Sequence, residues 1–234
     1  NWNDTLRKEY PNLMIAPHSA DDGLSLGAIE WLRRQHNLTQ ASTENFPYWQ
    51  HGSNAGYASD KTIETTAKAL ASGEIVAWAQ GLAEVGPRAL GNRSFLFNPV
   101  VAERFKEIKN REHYRPFGVS ILAEYADDYF TQSNDSFMLY STTLKKELPK
   151  QAVHVDNTCR IQKVDKATNL VYYKLIKMYY ELTGIPYLVN TSLNLDGDPI
   201  AYSKRDCEKI YFETNVDKLV YGDLLYERGN IKCH

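Results

Sequence analysis

The chain is short of cysteine, of long apolar runs and of surplus charge. Its 234 residues include three cysteines, Cys159, Cys207 and Cys233, widely spaced and with no CxxC pair. That argues against a disulfide framework and against a cysteine-type zinc site, and makes a reducing cytoplasm the expected compartment. Apolar stretches such as "AIEW" and "NLVYY" are far too short to cross a bilayer, and no signal-peptide pattern opens the chain, so no membrane partner is expected. Lysine plus arginine number 27 against 29 acidic residues, a net charge of −2. A broad phosphate-backbone footprint does not fit that balance, which counts against a nucleic-acid partner. No solenoid-type repeat is visible. What remains is an ordinary globular composition, 43% hydrophobic, 12% aromatic and 24% charged. It suits one large domain, or one medium domain plus a piece of another.

Periodicity places a short strand at 13–16, a helix at 23–34 and a polar, linker-like stretch at 37–60. A cap-like Ser59/Asp60 then opens a helix that Gly73 stops. "EIVAWAQG" reads as a buried strand and "VAERFKEIKN" as a helix. "PFGVSILAE", "SFMLYST" and "CRIQKV" read as strands. "NLVYYKLIKMYYELTG" is a helix closed by Gly184, and "PYLVNTS" is a strand running into a polar loop. "SKRDCEKIYFETN" is a helix, and "DKLVYGDLLYE" a final strand or hairpin. Strands alternating with helices predict an α/β or α+β layered fold with a largely buried sheet.

Against that even background, "KNREHYRPFG" at 109–118 gathers Lys109, Arg111, His113 and Arg115 in one place. Pro116 biases Arg115 away from helical geometry, so the preceding helix should end by then. A solvated helix face, with Glu107 and Glu112 as partners, is the ordinary reading of such a run. Two features favour an anionic ligand instead. The cations lead straight into an apolar strand, and like charges crowded there need an anion to offset their repulsion.

Three further stretches could carry chemistry. In "GLAEVGPRALGNRS", 81–94, Gly86 to Gly91 has P-loop spacing, but Asn92 and Arg93 stand where Lys and Ser/Thr belong. The alternative is a structural turn with Arg88 and Arg93 in water. In "HVDNTCRIQKV", 154–164, alternation puts Cys159 and Ile161 on one strand face and Arg160, Gln162 and Val164 on the other. An arginine there commonly pairs with a carboxylate. His154 and Asp156 are too few for a metal site, and a lone histidine is usually structural. In "LVNTSLNLDGDPI", 188–200, polar side chains follow the carboxyl end of a strand, where open α/β sheets place ligands; a capped hairpin turn is the alternative.

Together the four stretches resemble the C-terminal half of the NodU/CmcH-type O-carbamoyltransferases. The matching order is "GPRALGNRS", then K-x-R-E-x-x-R-P-F, then HVD-x-T-x-R-x-Q, then NTS-x-N-x-x-G-x-P-I. The likeness covers roughly 60–222 and extends to "SADDGLSLGA". It implies a fusion of two modules. The N-terminal one has an actin/sugar-kinase fold. The C-terminal one is YrdC-like, an α/β (α+β) layered fold with a mostly buried, twisted mixed sheet flanked by helices. On this resemblance, 1–40 is the tail of the larger transferase domain, 41–60 a linker and 61–234 the YrdC-like, carbamoyl-adenylate-forming domain.

The implied activity joins carbamoyl phosphate and ATP into carbamoyl-adenylate, which the larger module uses to carbamoylate a hydroxyl of a small molecule. Carried over by motif, Arg88, Lys109 and Arg115 are the catalytic cations. The same three, with Arg160, Asn190 and Ser192, would bind ATP and substrate. ATP would enter with Mg2+. Asp22, in preference to Asp21, matches a metal-ligating aspartate for a divalent ion such as Fe2+ in the full-length protein, with its histidine partners expected upstream. The implied partners are carbamoyl phosphate, ATP, a small-molecule hydroxyl acceptor and the missing N-terminal transferase domain. Leu82 replaces an arginine common in the family, and Leu193 stands where an aromatic residue is frequent. Two other readings remain open: tRNA threonylcarbamoyl-adenosine biosynthesis, and a non-catalytic module that binds ATP or another anion.

Overall fold

The computed structural model describes residues 2–19, 21–42, 44–109 and 115–228; the side chains of Asp22, His51, Lys106 and Glu107 lie outside that description. In chain order the elements are α1 (Trp2–Glu9), α2 (Leu24–Gln35), β1 (Tyr48–Gln50), α3 (Asp60–Ala71), β2 (Val76–Ala79), β3 (Ala83–Glu84) and β4 (Arg93–Phe97). Then come α4 (Ala102–Lys109), β5 (Gly118–Leu122), α5 (Ala123–Tyr129), β6 (Ser141–Thr143), β7 (Thr158–Val164) and α6 (Leu170–Thr183). The last are β8 (Tyr187–Ser192), α7 (Lys204–Glu213), β9 (Lys218–Tyr221) and β10 (Leu224–Glu227). Eight strands form one sheet in the order β10-β9-β2-β4-β8-β5-β7-β6. The β2–β9 and β5–β7 pairs are parallel and the others antiparallel, so the sheet is mixed.

Alternation along the strands sorts side chains between two covered faces. Val76 and Trp78 of β2 and Leu96 of β4 pack with Ile63, Ala67 and Leu70 of α3 and with Tyr172, Ile176 and Tyr179 of α6. Ala77, Ala79, Phe95 and Phe97 turn to the opposite face, against Phe105 of α4 and Cys207, Ile210 and Tyr211 of α7. Both faces being covered explains why β2 reads as a continuous apolar run. The helix ends follow their signals. Ser59 accepts the amide N–H of Thr62 at the start of α3, Ser203 and Asp206 form a reciprocal cap on α7, and Gly184 closes α6 in a left-handed conformation (φ 72°).

Several expectations need revision. Residues 13–16 are irregular rather than a strand. The strand expected over 136–142 begins only at Ser141, because the Asp135 carboxylate accepts the N–H groups of Phe137 (2.9 Å) and Tyr140 (2.8 Å) and draws them into a turn. β4 and α5 were not expected as elements; β4 lies directly behind the glycine-rich loop that masked it. The polar stretch 41–60 carries structure of its own. β1 pairs with β3, and the loop after it bonds to Gly81 (Ala55 N to Gly81 O, 2.9 Å; Gly81 N to Gly56 O, 2.7 Å). At the N-terminus, α1 leans on the loop before β6. Asn3 donates to Leu139 O (2.9 Å), Asp4 accepts from Ser141 N (3.0 Å), and Arg7 lies over the Tyr140 ring.

Candidate active site

Residues 81–94 turn from β3 into β4 around two buried ionisable side chains, Glu84 and Arg93. Glu84 Oε1 accepts three backbone N–H bonds, from Leu90 (2.7 Å), Asn92 (2.8 Å) and Arg93 (3.2 Å). Burial pushes the Glu84 carboxyl above the ordinary carboxylate range, against the pull of those N–H groups and of Arg93. Arg93 is fully buried, which overturns the reading that put it in water. Its guanidinium donates to the carbonyls of Gln80 (2.8 Å), Asn92 (2.7 Å), Gly81 (3.3 Å) and Ser53. Arg93 thus ties the loop after β1 to the loop after β2. Gly91 (φ 98°) is held so close to α6 that a Cβ there would sit 2.1 Å from the Tyr172 ring.

The far side of this loop rests on a polar patch of the sheet. Ser120 of β5 donates to Gln162 Oε1 of β7 (2.8 Å), and Gln162 Nε2 donates to Leu90 O (2.8 Å). Asn190 of β8 donates through Nδ2 to Ala89 O (3.2 Å) and Ser120 Oγ (3.0 Å). Two backbone carbonyls, which can only accept, therefore set the orientation of both amides. Asn190 Oδ1 is left buried without a partner. Tyr48 adds a second hydrogen bond to Leu90 O (2.9 Å), and Trp78 Nε1 donates to Gly91 O (3.0 Å).

The basic stretch is anchored at both ends by phenylalanines. Phe105, one turn before Lys109, stacks on Phe97 with ring centroids 4.5 Å apart. Phe117, two residues after Arg115, packs edge-on against both Phe97 (5.3 Å) and Phe105 (5.5 Å). Such ring pairs contribute about 0.5–1.5 kcal/mol each beyond burial, enough to fix where the two cations begin. Lys109 Nζ reaches the end of β8, donating to Ser192 O (2.7 Å), Ser192 Oγ (3.0 Å) and Asn194 Oδ1 (2.8 Å). Arg111 and His113 lie outside the described residues.

All six residues singled out for the site line one cavity of about 530 Å³: Arg88, Lys109, Arg115, Arg160, Asn190 and Ser192. They come from the loop before β4, the end of α4, the start of the β5 segment, β7 and the end of β8. Their convergence is tertiary, since β5 lies between β7 and β8 in the sheet. Arg160 keeps its Nε buried without a hydrogen-bond partner. The cavity also takes in Asn194, which accepts from Lys109, and two residues outside the motif-derived set, His154 and Asp196. The signal for His154 was present in its proximity to Arg160 along the chain, but a lone histidine is more often structural.

A family model described as the carbamoyltransferase C-terminus matches residues 67–228. The chain belongs to this family. It is 36% identical over 250 residues to the nodulation protein NolO of Bradyrhizobium diazoefficiens, covering 94% of this chain and 45% of that protein. It is 30% identical to the 3'-hydroxymethylcephem-O-carbamoyltransferase of Streptomyces clavuligerus, covering 97% of this chain and 46% of the enzyme. The chain thus spans about half the length of these carbamoyltransferase-family relatives. Two solved structures share the fold. Full-length HypF, in a phosphate- and nucleotide-bound form, aligns with a TM-score of 0.50 and 19% identity, over 74% of this chain and 22% of that one. P. abyssi Sua5, complexed with L-threonine, aligns with a TM-score of 0.51 and 15% identity, over 69% of this chain and 46% of that one. The fold is YrdC-like, with the mixed sheet and flanking helices expected of it.

Among the described residues no three His, Cys, Asp or Glu side chains cluster to hold a metal ion, and the side chain of Asp22 lies outside them. These residues do not by themselves fit a resident metal such as Fe2+. Asp196 is the sole carboxylate among the described residues lining the cavity. Magnesium accompanying a nucleotide is held largely by phosphates with one or two carboxylates, so Asp196 could complete such a site. Among the described residues, no helix is long and apolar enough to cross a membrane.

Proposed function

We propose that this carbamoyltransferase-family chain forms carbamoyl-adenylate from carbamoyl phosphate and ATP, for transfer to a hydroxyl of a small molecule by a preceding transferase domain. The observation that carries this reading is the meeting of Arg88, Lys109, Arg115 and Arg160 around one cavity in a chain of net charge −2. ATP brings about four negative charges and carbamoyl phosphate about two, and phosphoryl-transfer catalysis is largely positioning and charge stabilisation. Water cleaves carbamoyl phosphate to carbamate and inorganic phosphate. A carbamate oxygen then attacks the α-phosphorus of ATP, and the bond to the bridging oxygen breaks with release of pyrophosphate. The four cations are donors for the phosphoryl oxygens. Asn190 and Ser192 supply neutral hydrogen bonds, and Mg2+ would enter with the nucleotide.

Within this reading, 1–40 is the tail of the preceding actin/sugar-kinase-like domain, 41–60 the connection and 61–234 the adenylate-forming module. The compartment is the cytoplasm, consistent with two described cysteines that are free and buried. The Sua5 likeness shows the fold alone, and the balanced net charge does not favour an RNA substrate.

The test is pyrophosphate release from ATP that depends on carbamoyl phosphate. Lys109→Ala is expected to lower it roughly a hundredfold to a thousandfold, the effect of deleting one preorganised donor, about 3 kcal/mol. Unchanged turnover in that variant removes the assignment. ATP binding with no turnover, even with the preceding domain supplied in trans, identifies a binding module instead.

A further inference from the structure

The cavity is rich in hydrogen-bond donors, and His154 stands in its wall. His154 Nδ1 lies 2.8 Å from Thr158 Oγ1, and Thr158 Oγ1 lies 2.7 Å from Asp156 Oδ1. The bond from Thr158 holds the Asp156 carboxyl below its ordinary range, so it is ionised at neutral pH. A carboxylate can only accept, so the single hydroxyl proton of Thr158 goes to Asp156. The hydroxyl oxygen then accepts from His154, which places a proton on Nδ1. The turn is closed from both ends by His154 N to Thr158 O (2.8 Å) and Asn157 N to His154 O (3.0 Å).

The charged groups facing the imidazole are Arg160 from β7, Asp156 from its own turn and Asp4 from α1. Burial and then Arg160 hold the ring below the ordinary histidine range, with Asp156 and Asp4 opposing. In the neutral ring Nε2 keeps its lone pair and has no proton to give.

That atom cannot bond a phosphoryl oxygen, which is also an acceptor. It needs an N–H or O–H from the ligand. Carbamoyl phosphate offers a phosphate for the arginines and, at its other end, an amide NH2. An acyl phosphate of the same size offers a methyl group in that place. We propose that His154, with Nε2 left bare by the Thr158–Asp156 relay, accepts an N–H of the carbamoyl group and makes the cavity select a carbamoyl phosphate over an acyl phosphate. This rests on the carbamoyl phosphate reading of the cavity and adds to it the residue that reads the amide.

Binding of three stable probes to this chain, followed by calorimetry, tests the inference: phosphonoacetamide, acetonylphosphonate and inorganic phosphate. The first two differ only by NH2 against CH3, and neither contains adenine. Wild type is expected to bind the amide about tenfold tighter than the ketone, the worth of one buried hydrogen bond. His154→Phe should bring that ratio to about one, and Thr158→Val, which keeps shape but breaks the relay, should reduce it. Thermal melting of each variant reports whether it is folded. Lowering the pH through and below the ordinary histidine range should close the gap, because an imidazolium has no lone pair to offer; phosphonate protonation is shared by both probes and cancels. An undiminished gap in either folded variant overturns the inference. Equal binding of all three probes by wild type overturns it too, while leaving the anion cavity standing. Wild-type binding of none of them overturns the carbamoyl phosphate reading itself.

Discussion

Arg88 and Arg93 occupy one loop and carry the same side chain, but their surroundings divide their work. Arg93 is sealed beneath the loop after β1, and its guanidinium is used on backbone carbonyls from three segments of the fold. Arg88 stands on the outer turn and lines the cavity. One arginine holds the loop in shape; the other is held by it. The difference comes from what lies over each residue. The loop after β1 covers Arg93, whereas the wall opposite Arg88 is formed by α4, β7 and β8.

The widest split between the two is expected from alanine substitution. Arg93→Ala removes a donor from each of four carbonyls, those of Gln80 and Ser53 among them, and should cost about 3–5 kcal/mol of unfolding free energy, read by urea denaturation. Arg88→Ala should cost less than Arg93→Ala by that measure and instead lower carbamoyl-phosphate-dependent pyrophosphate release roughly a hundredfold. If both variants unfold alike, the division between them is wrong.

A smaller effect sharpens the same contrast from the acidic side. Burial raises the Glu84 carboxyl in the folded chain, so the native state holds its proton to higher pH than the unfolded state does. The stability this contributes is complete below the unfolded carboxyl range and is lost as pH rises through the raised folded value. Glu84→Gln keeps an oxygen for the three N–H bonds and has no proton to lose. Its melting temperature should therefore climb relative to wild type as pH rises from the ordinary carboxyl range through the raised folded value. A constant difference across that range would show that Glu84 does not titrate differently on folding.

The two arginines also mark how far the sequence could be read. Residue type and motif order brought Arg88, Lys109, Arg115, Arg160, Asn190 and Ser192 to attention, and strand alternation gave the facing of Arg160 and Gln162. These signals are local. The covering of Arg93 is not, because it depends on Ser53, forty positions away, being folded back over the loop. The polar stretch that supplies Ser53 looks like a connector by composition, since its hydrogen bonds go to another loop rather than to a repeating ladder. β4 was hidden for a related reason: five buried residues, one of them arginine, follow a run of glycines and do not alternate in polarity. His154 was passed over because its meaning depends on the hydroxyl of Thr158 standing between it and Asp156.

The carbonyls of Ala89, Leu90 and Gly91 are each secured from beneath, by Asn190, by Gln162 with Tyr48, and by Trp78. A turn pinned at three successive peptide groups has little freedom left to surrender when an anion arrives. Association at Arg88 should then resemble docking onto a fixed post, with speed governed by diffusion and ionic strength rather than by rearrangement of the chain.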